Sequence, residues 1–173
     1  VAVTSVVLQK IQHVFPGADR HLIGPPGVSQ ILSGLAGTRI IEQAYDRRGL
    51  LARLESWNEV AGILERETTG LDSAESVVID PDSRITQLGL LPVVRATVPY
   101  LFFESRTYRA PGLETLGELT AHWLNGMLPP ADNELTWPGA ALPSADVAHA
   151  GRIVQALRRR GISGVVALNL GVG

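Results

Sequence analysis

Two places in the chain set a histidine beside a carboxylate at the spacing of a helical turn. Asp146 and His149 stand three apart, and Glu118 and His122 stand four apart. A carboxylate beside an imidazole favours the protonated ring and makes a general acid/base pair. Glu118 and His122 lie opposite the apolar stripe of their own segment, so they read as a surface pair. His149 borders an apolar stripe where a cleft can form, and Asp146 sits in the first turn, where the helix dipole favours an acid. His149 and Asp146 are therefore the catalytic candidates. Arg152, Arg158, Arg159 and Arg160 follow on the same segment. Guanidinium forks suit phosphate, which makes Arg152, Arg159 and Arg160 candidate ligand- or phosphate-binding residues. Cations at a helix C-terminus are also favourable without any ligand.

Other chemistry is narrower. The chain has no cysteine, which excludes disulfides, thiolate metal sites and a cysteine nucleophile. Four scattered histidines supply no zinc-ligand spacing, so no metal is expected, and no motif names a cofactor. Gly24-Pro-Pro-Gly27-Val-Ser-Gln30 opens like a phosphate loop but lacks the Gly-Lys-Ser/Thr ending that reaches phosphate and magnesium. A rigid turn is the expected reading. Asp80 and Asp82 flank a proline, and Asp-Pro-Asp-Ser is turn chemistry before it is a metal site.

Helices and strands must position these groups. Val7, Ile11 and Val14 predict a first helix stopped by Pro16-Gly17, and Val28 to Leu35 a second. Thr38 is expected to cap a longer helical region, with Ile41 and Tyr45 on one stripe. Leu50, Leu54, Trp57, Ala61 and Leu64 form another stripe at alternating spacings of four and three. That stripe is either core or interface, and Leu50, Leu54 and Trp57 are the candidate partner-contact residues.

After Gly70 the texture turns to strands: Ser76 to Ile79, a turn at Asp80 to Ser83, Arg84 to Leu88 returning as a hairpin, then Val93 to Val98 and Tyr100 to Tyr108. Thr115 and Glu118 form a capping box for the helix carrying Leu116, Leu119, Trp123 and Met127. Ser144 is expected to cap a last helix whose Val147, Ala150, Val154 and Leu157 face the core, followed by a strand at Val165 to Leu168. The expected class is α+β: amphipathic helices on a small, mainly antiparallel sheet across residues 75 to 108, with a C-terminal helix-strand unit. One domain is expected over 1–173, with a sub-boundary near 110–113.

The balance of 45% apolar and 18% charged residues suits a folded domain, and a net charge of −2 gives no bulk pull toward polyanions. Fourteen arginines against the single Lys10 suggest a GC-rich source. No basic stretch precedes an apolar run at the start, and no apolar run is long enough to span a bilayer, so the cytoplasm is the expected compartment.

Leu116-Gly-Glu-Leu-Thr-Ala-His-Trp-Leu-Asn-Gly126 resembles the signature of a family of Streptomyces and related actinobacteria with no known activity. The resemblance runs over residues 115 to 170. It takes in Trp137-Pro-Gly139, the helix from Ser144, the Arg160-Gly161 turn and Val165 to Leu168. It implies source and architecture, and no reaction.

Three readings follow. The first is a non-catalytic cytoplasmic accessory protein that binds a protein partner or a second copy of itself through its helix stripes. The second is a small enzyme or ligand-binding protein for a phosphorylated or nucleotide-like metabolite. The third, ranked lowest, is nucleic-acid binding through the arginines of the last helix. None involves a membrane.

Overall fold

The computed structural model describes residues 2–45, 48–72, 75–81, 93–129, 138–162 and 164. Among them are five helices and four strands, a mixture of α and β structure as the composition suggests.

Helix α1 (Ala2–Val14) is central to the packing because it is apolar on two sides. Val3, Val7 and Ile11, a turn apart, enter one core cluster, while Leu8 enters another. The first cluster joins α1 to Phe103, Ala110, Leu119, Trp123 and Leu124. The Phe103 ring stands 5.1 Å from Trp123 and 5.4 Å from Tyr108 between centroids. Such aromatic pairs contribute about 0.5–1.5 kcal/mol each beyond the area they bury. The cluster spans residues 110–113, with Ala110 in it and Leu113 packed against it.

The second cluster supports a strand-helix-strand unit. Strand β1 (Arg20–Gly24) leads through a turn to the short helix α2 (Val28–Leu32) and on to β2 (Thr38–Glu42). The strands pair in parallel, with Leu22 opposite Ile40 and Gly24 opposite Glu42. Leu22, Val28 and Leu32 are buried with Leu8, and Ile40 packs on them, so α1 and α2 cover this face. His21 and Arg39, also opposite each other, project to the other face. There both meet Glu67 of α3 (Leu50–Thr68), His21 Nδ1 at 2.5 Å and Arg39 Nη1 at 3.2 Å. Helices therefore lie on both sides of β1 and β2.

Strands β3 (Val78–Asp80) and β4 (Tyr100–Phe102) also pair in parallel, Ile79 opposite Leu101, and both of these residues pack on the α1–α4 core. Helix α4 (Leu116–Met127) carries the capping box expected of Thr115 and Glu118. The strap 138–142 then crosses α1 and α2. Gly139 N donates to Ser5 Oγ, Ala141 N to the Ile31 carbonyl, and Gly34 N to the Ala141 carbonyl. It leads into α5 (Ser144–Arg159).

Several expectations are corrected. The sheets are parallel where an antiparallel one was expected, because long crossovers, including the one through α2, join the paired strands in place of tight turns. Thr38 to Glu42 is a strand, not the start of a helix; its β-branched Thr38, Ile40 and Ile41 outweigh the apparent helical spacing. Residues 93–99 form turns, with Val98 N bonded to the Arg95 carbonyl, and the last β segment stops at Phe102. The return strand at 84–88 and the final strand at 165–168 lie outside the described residues. In α4 the buried face is Leu119, Thr120, Trp123 and Leu124, while Leu116 and Met127 are 44% and 55% exposed. Helix α5 has no buried residue and no side-chain cap; Pro143 holds the N-cap position. Its periodicity signals an apolar face, which is not the same as a face with a neighbour inside the fold.

Candidate functional site

The C-terminal ends of β1 and β2 bring together a hydrogen-bonded set of polar groups. After β1 the chain turns through Pro25 and Pro26 to Gly27, whose φ of 87° is open to glycine without strain. That turn points two amides toward the end of β2. Glu42 Oε1 accepts from Gly27 N at 3.0 Å, Ser29 N at 3.1 Å and Ser29 Oγ at 2.5 Å. The Ser29 hydroxyl first, then the Ser29 and Gly27 amides, stabilise the charged carboxylate and hold its pKa below the ordinary glutamate range; desolvation opposes them and loses. The turn thus behaves as an anion nest already filled by the chain's own carboxylate.

On the α3 side of the same strand end, Gln43 N continues the ladder to the Gly24 carbonyl at 2.8 Å, and Gln43 Nε2 donates to Glu59 Oε2 at 2.6 Å. Beyond it lies an open concavity of about 440 Å³ lined by Ala44, Tyr45, Ala52, Glu55, Ser56 and Glu59. Residues 52, 55, 56 and 59 share one face of α3. The volume is within the range of small-molecule sites, on the order of 300–1,000 Å³. Among the described residues two carboxylates and no basic group line it, which favours hydroxyl or cationic ligands there.

The residues singled out from sequence are placed elsewhere. Asp146 and His149 are exposed on α5, where His149 Nδ1 stands 3.5 Å from Arg152 Nη2. Arg152, Arg158, Arg159 and Arg160 are exposed as well. Glu118 and His122 are not joined: Glu118 Oε2 accepts from Thr115 Oγ1 at 2.7 Å, while His122 Nδ1 lies 2.6 Å from Tyr108 Oη. Leu50 is 63% exposed at the start of α3, whereas Leu54 and Trp57 are half-buried. Glu42 and Tyr45 were missed. The available signal was an acid eighteen positions after Gly24, following a glycine turn and a β-branched run.

Among the described residues no group of three or more histidine, aspartate or glutamate side chains is arranged to hold a metal ion, and no helix is long and apolar enough to cross a membrane. Comparison with protein-family models, with curated proteins and with solved structures finds no match.

Proposed function

We propose that this protein binds a small molecule at the C-terminal ends of β1 and β2. The observation that carries the reading is the parallel pairing of these strands, with Glu42 and the 44–59 concavity on either side of one strand end. In parallel α/β arrangements ligands are taken outside the carboxyl ends of the strands, where loops converge and strand register fixes the side chains. The carboxylates of Glu42, Glu55 and Glu59 are the site-level support, and they favour a hydroxyl-bearing or cationic ligand over a phosphorylated one. Ligand-observed NMR against a fragment library tests it. Hits are expected to be lost in Ala52→Trp, which fills the concavity, and hits that bind this variant unchanged would refute the assignment.

A second reading, a non-catalytic partner-binding role, is favoured by α5. Val147 and Ile153 are 56% and 51% exposed on a helix with no buried residue. Val147→Asp with Ile153→Asp is expected to leave the melting temperature unchanged while removing any self-association seen by sedimentation. Unfolding would show that these residues belong to the core. Nucleic-acid binding through Arg152 and Arg158 to Arg160 is a third proposal, and it requires binding that weakens steeply with salt.

A further inference from the structure

We infer that α5 pairs antiparallel with α5 of a second copy of this chain, an assignment that rests on the partner-binding reading above. The stripe is the first reason. Val147, Ala150, Val154 and Leu157 follow at spacings of three, four and three, the repeat of a coiled-coil seam, on a helix with no buried residue.

The order of side chains along the stripe is the second reason. With two copies side by side and opposite in direction, Val147 meets Leu157 of the second copy, and Ala150 meets its Val154. Each layer then joins a larger to a smaller side chain, so the seam fills evenly. In the parallel alignment Ala150 would meet Ala150 and Leu157 would meet Leu157, leaving one layer thin and another crowded. Exposed Leu142 and Ile162 stand just before and just beyond the helix, and the antiparallel alignment brings them to the same ends of the pair.

Charge complementarity is the third reason, and it selects a second copy as the occupant. Asp146, Ile153 and Arg160 follow at intervals of seven, so they line one edge of the stripe. Asp146 is the only acid from Ser144 to Arg160, whereas Arg158, Arg159 and Arg160 crowd the other end. Antiparallel pairing sets Asp146 beside Arg160 of the second copy, and two-fold symmetry makes that pair twice. Parallel pairing would set arginines against arginines. The helix dipole accounts for an acid at one end and cations at the other, but not for the uncovered apolar stripe between them. A pair of 16-residue helices lies at the low end of specific interfaces, below about 1,200 Å², so a reversible dimer in the micromolar range is expected.

The test is sedimentation velocity of the full chain from micromolar to sub-millimolar concentration. Asp146→Arg and Arg160→Asp should each raise the dimer dissociation constant about tenfold, because each replaces two attractive pairs by two repulsive ones. The double variant, with the charges exchanged, should return to the wild-type value. The chain has no cysteine, so single-cysteine variants report the alignment directly. Under mild oxidation, Ala150→Cys mixed with Val154→Cys should form the mixed disulfide faster than either variant forms its own, as close approach of these two positions requires. Asp146, Ala150 and Arg160 are exposed and Val154 is half-buried, so these variants keep the test open even if Val147→Asp with Ile153→Asp does not fold. A chain that stays monomeric throughout overturns the inference and leaves the partner-binding reading to a different protein. A dimer that the charge exchange does not restore, or whose cysteine variants each link to themselves in preference, overturns it as well. A dimer indifferent to Val147→Asp with Ile153→Asp lies on another face, which removes the inference and takes away the support that α5 lends to the partner-binding reading.

Discussion

Lys10 and Asn125 meet across the α1–α4 interface, with Nζ 2.5 Å from Oδ1 and the lysine only 5% exposed. It is the one lysine in a chain that otherwise uses arginine, and it makes a polar contact in an interface built by Val3, Val7, Ile11, Leu119 and Trp123. A buried polar pair contributes little beyond an apolar pair of similar shape, but removal of one partner strands the other. Asn125→Ala should therefore cost on the order of 1–3 kcal/mol in urea unfolding. Lys10→Met, which fills the same space without a donor, leaves behind only the half-buried Asn125, which can turn to water, and should fall within about 1.5 kcal/mol of wild type. Equal losses in both variants would mean that the hydrogen bond from the amine, not the apolar stem that methionine keeps, supports the interface.

Thr115 closes the start of α4 by accepting from Glu118 N at 3.2 Å while its own amide donates back to Glu118 Oε2 at 3.0 Å. Thr115→Ala removes the hydroxyl and leaves a first-turn amide without its acceptor. The expected loss is about 0.5–2 kcal/mol, and Thr115→Ser should recover most of it. Since α4 is one wall of the main core, the loss should register as global unfolding and not only as fraying of the first turn.

The capping box shows what the sequence reveals readily. Its signal is local, two polar residues three apart before an apolar run, so Thr115 and Glu118 could be named without any tertiary information. The same holds for α1 with its Pro16-Gly17 stop and for the start of α4. The parallel pairings were illegible because strand direction depends on where a distant partner lies, and Ile40 and Ile41 fit a helical stripe as well as a strand. Helix α5 lies where it was expected, from Ser144, but its stripe does not face the core, for a related reason: the stripe is real, yet a stripe does not say whether anything covers it. Glu42 went unnoticed because a carboxylate gains meaning only when β2 is seen to end beside the Gly27 turn.

Glu42 and Glu118 predict an acid-sensitive component of stability. Hydroxyl and amide donors hold both pKa values below the ordinary range, from Ser29 and Gly27 for Glu42 and chiefly from Thr115 for Glu118. As pH falls, the unfolded chain takes up these two protons before the folded one does, so stability rises with pH through that interval. The contribution is complete above the ordinary glutamate pKa and is lost as pH drops through the depressed folded values. Urea midpoints measured across the acid range should decline less steeply for the Glu42→Gln, Glu118→Gln double variant than for wild type. An unchanged slope would assign the acid sensitivity to other carboxylates.

Gly34 makes the strap 138–142 possible. A Cβ at this position would lie 2.5 Å from the Leu142 carbonyl oxygen and 2.7 Å from that of Ala141, and both are backbone atoms that a rotamer change cannot move. Gly34 N also donates to the Ala141 carbonyl at 2.7 Å, so the close approach and the hydrogen bond hold the strap together. Gly34→Ala must push the strap outward, weakening that bond and its companion from Ala141 N to the Ile31 carbonyl. A destabilisation of about 1–3 kcal/mol is expected, the usual cost of an overpacked contact. Gly126→Ala is the matched control: nothing lies within 4 Å of its Cβ, and a helical alanine should add roughly 0.5–1 kcal/mol. Limited proteolysis separates the local from the global effect. In Gly34→Ala, cleavage within 138–142 should accelerate more than unfolding does, because the strap detaches before the α1–α4 core opens. Cleavage that merely tracks unfolding would show that strap and core come apart as one unit.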